Sequence, residues 1–252
     1  MINEPMWGII QKTIEASTAR NYFTQTNWEG PLRQRFRQMR DNLRKDNCSD
    51  AIRKEAVEAF RSLNYNYRTR APLRTAGLFI GTLLGELKEQ KWLESDPPAL
   101  LADTVHSASA DLISAVVPAI LTDFKAKGGR HDYSLLTKFL HFTYPETFPI
   151  YDAQVARSVQ EWAYFSFREG EERKWKEFSV GTIGNLDGSG YRHLVEFYRQ
   201  FWAAACPDDQ VQLRKIANEM EDIVGGKVSV LDVLDKHLWI ANGNAVILGL
   251  LD

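Results

Sequence analysis

The residues of this sequence whose types and spacing suit chemistry lie between residues 134 and 157. The first half of this segment has the apolar spacing of a short helix, and Lys138 and His141 fall on one face of it. A tight connection bounded by two prolines follows, and Asp152 then stands directly before a second predicted helix. The sequence therefore predicts a lysine and a histidine on one helix and an N-cap aspartate at the start of the next.

A purely structural role is the alternative for the same three side chains. Asp152 would then be an ordinary N-cap that contributes about 1 kcal/mol to the stability of its helix. Lys138 and His141 would form a solvated helix face. Under this alternative, the segment holds two helices together and has no chemistry of its own.

The segment also resembles the helix-hairpin-helix superfamily of DNA glycosylases, which includes endonuclease III and 8-oxoguanine glycosylase. In that family, a helix that begins with a catalytic lysine is followed by an apolar run and a Pro-Val-Asp-x-x-Val-x-Arg type motif. Thr137-Lys138 is similar to the start of that helix, and residues 149–157, Pro-Ile-Tyr-Asp-Ala-Gln-Val-Ala-Arg, are similar to the aspartate motif. The resemblance covers residues 134–162 and implies an 8-oxoguanine-glycosylase-like fold.

The resemblance implies a role for each of these side chains. Breaking an N-glycosidic bond builds positive charge on the sugar, and the Asp152 carboxylate would stabilise that charge or orient a nucleophile. Lys138 would attack C1′ and form a Schiff base, which leads to strand cleavage. The damaged base would be extruded into a pocket, where Tyr151 or Phe142 stacks on it. The pocket residues implied are His141, Phe142, Tyr151 and Gln154.

A second segment of interest is rich in arginine. Four arginines recur at helical spacing beside an apolar stripe of the same period, so that a helix would carry them as one basic ridge. They are Arg33, Arg37, Arg40 and Arg44. Such a ridge, or Arg157, is suited to contact the phosphate backbone of DNA. The alternative is a solvated helix whose arginines pair with acidic residues or cover apolar surface with their stems.

The distribution of charge is compatible with such a contact. The whole chain has a net charge of −2. Residues 31–75, however, contain twelve Lys or Arg and five Asp or Glu, a local net charge of +7. Local asymmetry of this kind can bind phosphate even when the whole molecule is mildly acidic.

The elements that must position these residues are predicted to be helices. Apolar residues recur with helical period through most of the chain, and alternation of strand length is hard to find. One apolar stripe consists of Ile113, Val116, Val117, Ile120, Leu121 and Phe124, and another of Leu231, Leu234 and Leu238. We expect roughly ten helices in one all-α domain over residues 1–252, with two helical lobes and a cleft formed by residues 131–165.

Composition excludes several classes of protein. The chain has 252 residues, of which 44% are hydrophobic and 25% charged, as in ordinary globular proteins. No run is apolar enough to cross a membrane and no secretory signal is visible, so a cytoplasmic location is expected. The isolated Cys48 and Cys206 predict neither a disulfide nor a zinc cluster. No metal or cofactor is expected, because residues 181–190 match no phosphate-binding motif and the histidines lack metal-ligand spacing.

Three functions follow from the sequence, in order of preference. The first is a DNA-repair-type glycosylase or lyase that acts on, or binds, damaged DNA. The second is a non-catalytic helical module that binds nucleic acid or a partner protein, such as an accessory factor of a larger DNA-acting system. The third, a small-molecule or nucleotide-processing enzyme, ranks last because no phosphate or metal motif supports it.

Overall fold

The computed structural model of the protein describes residues 29–45, 49–67, 73–102, 107–129, 132–168 and 188–241. These ranges contain nine α-helices and one short 3₁₀-helix, and none of the described residues lies in a strand. The all-α prediction is therefore confirmed. Cys48 and residues 181–187 lie outside the described residues.

The helices are numbered here in chain order. They are α1 Glu29–Lys45, α2 Asp50–Tyr67, α3 Ala76–Glu89, α4 Ser107–Ala126, α5 Tyr133–Thr143, α6 Ala153–Arg168, α7 Gly188–Ala204, α8 Pro207–Val224 and α9 Val230–Ala241. The six residues of the apolar stripe predicted between residues 113 and 124 lie on α4 and are all buried. That stripe covers the α5 and α7 helices, which pack against α4.

Helix α5 lies at the centre of the described part of the chain. Ten of its eleven residues are buried, because α1, α2 and α4 all pack against it. It begins at a side-chain cap, in which the Asp132 carboxylate accepts a hydrogen bond of 3.0 Å from the Leu135 backbone N–H. Edge-on ring contacts fix its position, with the Phe139 ring 4.8 Å from Phe36 and 5.8 Å from Phe79.

Helix α9 is also buried. Its sequence predicts one buried apolar face, but the structure buries its polar face as well. The stripe Leu231, Leu234 and Leu238 is buried as expected, and so are the polar residues between these leucines. The reason is that α9 packs on both α6 and α8, and its N-terminal half also contacts side chains of α1 and α5. Its polar side chains must therefore find partners inside the protein.

A glycine lets α1 approach α8 closely. A Cβ atom added to Gly30 would lie 2.0 Å from the backbone oxygen of Val224, which no side chain tolerates. Gln34 completes the contact by donating to the Gly225 carbonyl at 3.0 Å. This close approach places Glu29 and Arg33, at the start of α1, inside the protein beside α9.

No helix among the described residues combines the length and low polarity that a bilayer span requires. In the same residues, no three His, Cys, Asp or Glu side chains are grouped so that they could hold a metal ion. The two lobes and the cleft over residues 131–165 stay predictions.

Candidate functional site

Lys138 and Asp152, fourteen positions apart in the chain, meet in the folded protein. The Lys138 Nζ donates to the Asp152 Oδ2 at 3.0 Å, and the two side chains are only 7% and 13% exposed. The connection between α5 and α6 is tied back onto α5, because the Tyr151 backbone N–H donates to Thr137 Oγ1 at 2.9 Å. This bond brings the start of α6 beside the middle of α5.

Asp152 also caps α6. Its Oδ1 accepts from the backbone N–H groups of Gln154 and Val155, at 3.1 Å each, as predicted for an N-cap. The two oxygens of one carboxylate thus have different partners, the helix terminus and the lysine. Burial alone would raise the pKa of Asp152, but Lys138 and the backbone donor of Val155 lower it below its ordinary value, so the carboxylate is ionised.

Lys138 and His141 share a face of α5 as predicted, but that face is not solvated. Both residues are buried. Besides Asp152, the Lys138 ammonium contacts Ser134 Oγ at 2.7 Å and lies 5.4 Å from the centre of the Tyr67 ring. The solvated-face interpretation is therefore wrong, because α1, α2 and α9 cover these two side chains.

The Lys138–Asp152 pair is one end of a larger group of buried charges, which we call the buried charge cluster. It consists of Glu29, Arg33, Lys138, His141, Asp152, Asp232 and Lys236. The Arg33 guanidinium donates to Asp232 at 2.5 Å, and Lys236 donates to Glu29 at 2.6 Å. The Tyr67 hydroxyl also donates to Glu29, at 2.8 Å. Alternating charges from α1, α5 and α9 therefore stabilise one another in the interior.

His141 lies at the Asp232 end of this cluster. Its Nδ1 lies 2.7 Å from the Phe148 carbonyl and its Nε2 lies 2.6 Å from Asp232 Oδ1. Both ring nitrogens therefore face acceptors, which only the doubly protonated ring can satisfy. Burial opposes that charge, but Asp232 outweighs it and raises the pKa of His141. The pKa of Asp232 is held far below its ordinary range by Arg33 and His141, despite burial.

Two further groups beside this cluster lack hydrogen-bond partners. Asp235 is 3% exposed, and within the described structure its Oδ1 accepts no hydrogen bond. Burial raises the pKa of Asp235 to about 7. The hydroxyl of Tyr198, a fully buried residue of α7, is likewise unpartnered there, and it is close enough to Asp235 and Asp152 to interact electrostatically with both.

The predicted pocket residues are more buried than expected. Phe142 and Tyr151 are buried and packed against other rings. Phe142 lies 5.5 Å from the Phe36 ring, and the Arg33 guanidinium lies 5.1 Å from it. The Tyr151 ring contacts those of Tyr133 and Tyr191. Gln154 is half-buried at the start of α6. His141, Phe142 and Tyr151 are therefore interior side chains in this conformation.

The arginines of the predicted ridge divide into different environments. Arg33 departs from the ridge, because it is 6% exposed and paired with Asp232 in the interior. Arg40 is half-buried and Arg44 is exposed, and both contact Asp96. Arg37 is exposed on α1, and Arg157 is exposed on α6.

Sequence reasoning missed the acidic and basic residues of α9 and Glu29 at the start of α1. One signal was available: Asp232, Asp235 and Lys236 are spaced i, i+3, i+4 among apolar residues, so they share one face of an otherwise buried helix. Their partners could not be found in this way, because they lie in distant parts of the chain. No protein-family model, curated protein or solved structure matches this chain.

Proposed function

We propose that this protein is a DNA-glycosylase-like protein that cleaves the N-glycosidic bond of a damaged nucleotide. The observation that carries the proposal is the 3.0 Å contact between Lys138 and Asp152 at the N-terminus of α6. Two side chains that the family resemblance assigns to the chemistry lie together, although they are fourteen positions apart in the chain. Both are also largely removed from water, which strengthens their effect on a reacting group.

Asp152 is suited to stabilise a cationic sugar. Its carboxylate is ionised, and two backbone N–H groups hold its Oδ1 even when Lys138 leaves, so it needs little reorganisation when charge develops at C1′. A carboxylate held in this way stabilises an oxocarbenium-like transition state electrostatically. Its position does not depend on a flexible loop, because it is the N-cap of α6.

Lys138 is the candidate nucleophile. To attack C1′, its nitrogen must lose a proton and leave its contacts with Asp152 and Ser134. The amine then forms a bond to C1′ as the bond to the base breaks, and the proton that the nitrogen loses goes to the departing base. Opening of the sugar ring, in which O4′ takes a proton from water, gives a protonated Schiff base. The proposal therefore requires that bound DNA opens the Lys138–Asp152 pair.

The phosphate contacts are assigned to the exposed arginines. Arg37, Arg44 and Arg157 are exposed and Arg40 is half-buried. Arg40 and Arg44 also contact the carboxylate of Asp96. Arg33 no longer belongs to this set because it is buried. Each phosphate contact by an exposed arginine makes the affinity for DNA more sensitive to salt.

The test is base release and covalent capture on a panel of duplexes that each carry one lesion, at low salt. We expect the wild-type protein to release at least one base, and borohydride reduction to link Lys138 to the DNA. Lys138→Ala abolishes the link. Lys127→Ala is the matched control, because Lys127 forms an exposed ion pair with Asp123 on α4. If the wild-type protein neither binds nor cleaves any duplex, the proposal is wrong.

A non-catalytic helical module is the second candidate, and one observation favours it. Both oxygens of Asp152 already have partners, so a structural role explains the residue completely. On this alternative, Asp152→Ala lowers the melting temperature and changes no activity, since there is none to change. The protein would bind nucleic acid or a partner protein without altering it.

A further inference from the structure

Ser134 contacts the ammonium of Lys138, and the function proposed above gives this serine no role. It lies in the first turn of α5, one helical turn before Lys138. Side chains on a helix point back toward its N-terminus, so the lysine reaches the serine. The Ser134 Oγ accepts a hydrogen bond of 2.7 Å from the Lys138 Nζ. The serine hydroxyl therefore lies within hydrogen-bond distance of the atom that would bond to C1′.

The proton that Lys138 must lose has two oxygen atoms within reach, Asp152 Oδ2 and Ser134 Oγ. The Asp152 carboxylate has to stay ionised, because its negative charge stabilises the sugar cation. A hydroxyl can accept one proton while it donates another, so its own charge does not change. Transfer through Ser134 thus removes the proton from Lys138 and leaves Asp152 charged.

The two acceptors also differ in exposure. Lys138 and Asp152 are buried, whereas Ser134 is half-buried. Of the two hydrogen-bond partners of Lys138 within the described residues, Ser134 is therefore the more accessible. Its hydroxyl is the one that can contact the lysine on one side and a bound molecule on the other.

We propose that Ser134 relays the proton of Lys138 to the departing base. This inference rests on the function proposed above and adds a residue to it. The Lys138 Nζ–H gives its proton to Ser134 Oγ while the Oγ–H gives its own proton to the base, directly or through one water.

The step balances without a further reactant. The bond between C1′ and the base breaks, and its electron pair stays with the base, which takes the proton. The Lys138 nitrogen uses the electron pair that deprotonation frees to form its bond to C1′. One proton has then passed from the lysine to the base, and Ser134 is again a neutral hydroxyl.

The pH dependence of the rate tests the relay. Single-turnover base release is measured from pH 6 to 9 for wild type and Ser134→Ala, on a duplex that the wild-type protein cleaves. Without the relay, Lys138 reacts only after it has lost its proton to solvent, and that fraction grows with pH. We therefore expect Ser134→Ala to be at least about 10-fold slower at pH 6, with a gap that closes as the pH rises.

Two comparisons separate the relay from a structural role. Ser134→Thr keeps the hydroxyl and should restore the wild-type rate at each pH, whereas Ser134→Val, which has the same shape without the hydroxyl, should behave like Ser134→Ala. Titration of the charged neighbours affects all these proteins alike and cancels in the ratio of rates. These neighbours are His141 on α5, Asp152 at the start of α6, and Asp235 and Lys236 on α9.

The control is Ser62→Ala on α2, which removes a hydroxyl that accepts 2.8 Å from Arg35 and should keep the wild-type rate throughout. A gap of constant size at every pH would mean that the hydroxyl only holds Lys138 in place, and it would overturn the relay while the proposed function stands. Equal rates in wild type and Ser134→Ala would have the same meaning. A wild-type protein that releases no base from any duplex overturns both proposals.

Discussion

At the scale of single residues, Asp152 combines two roles that the sequence presents as alternatives. It caps α6 with one oxygen and binds Lys138 with the other. The N-cap could be predicted from the sequence, because a cap depends only on the residues that directly follow it. The contact with Lys138 could be expected only through the family resemblance, because it depends on how the 144–152 connection folds back on α5.

The two roles of Asp152 can be separated by substitution. Asp152→Ala removes the cap and leaves the mostly buried Lys138 without its partner, so we expect a loss of about 3–5 kcal/mol in the free energy of unfolding. Asp152→Asn keeps an oxygen for the cap but also removes the anion beside Lys138, so it should lose about 1 kcal/mol less than Asp152→Ala. Chemical denaturation measures both losses. The control is Asp123→Ala in an exposed ion pair, which should lose less than about 1 kcal/mol. Equal losses in both Asp152 variants would contradict this division.

Asp235 changes the free energy of unfolding with pH in the opposite direction to Asp152 and Asp232, because its pKa is raised and theirs are lowered. Its pKa is about 7 in the folded protein and 3.8 in the unfolded chain, so its contribution is fully present below pH 3.8 and is lost as the pH rises through 7. Asp235→Asn should therefore gain stability relative to wild type between pH 4 and 8, by up to about 4 kcal/mol. Urea denaturation at several pH values measures the gain, and a difference that does not vary with pH would rule it out.

At the scale of elements, the helices could be predicted from the sequence, but the buried ion pairs that join them could not. The helical spacing of apolar residues identifies the buried faces of α4 and α9, because the residues that form each face lie within a few turns of one another in the sequence. The partners in the buried charge cluster are far apart in the chain: 91 positions for His141 and Asp232, 199 for Arg33 and Asp232, and 207 for Lys236 and Glu29. No local pattern relates such residues, so the sequence alone predicts Arg33 on a surface ridge.

The ion pair between Arg33 and Asp232 should hold α1 against α9. Arg33→Met removes the cation and leaves Asp232 with His141 and Ser229 as its remaining partners. Breaking a buried pair from one side costs about 3–5 kcal/mol. We expect a loss of this size in Arg33→Met, whereas Lys127→Met in the exposed pair on α4 should cost less than about 1 kcal/mol. A double-mutant cycle with Asp232→Leu gives the coupling energy, and a value near zero would show that the two helices do not depend on this contact.

At the scale of the whole molecule, the net charge of −2 is compatible with DNA binding only if the exposed basic residues lie on one surface. If Arg37 and Arg157 each contact a phosphate, each substitution to Ala should reduce the slope of log affinity against log salt by about 0.9. Fluorescence anisotropy between 50 and 200 mM salt would measure these slopes, with Lys127→Ala as the control. Slopes that do not differ from wild type would show that these two arginines do not contact phosphate.

The most direct test of the proposed function compares Asp152→Asn with Asp123→Asn in single-turnover base release from a lesion-bearing duplex that the wild-type protein cleaves. Because Asp152→Asn keeps the helix cap and removes only the charge, we expect it to remain folded and to be at least about 100-fold slower, while Asp123→Asn retains the wild-type rate. A folded Asp152→Asn protein that releases the base as fast as wild type would contradict a catalytic role for the Lys138–Asp152 pair.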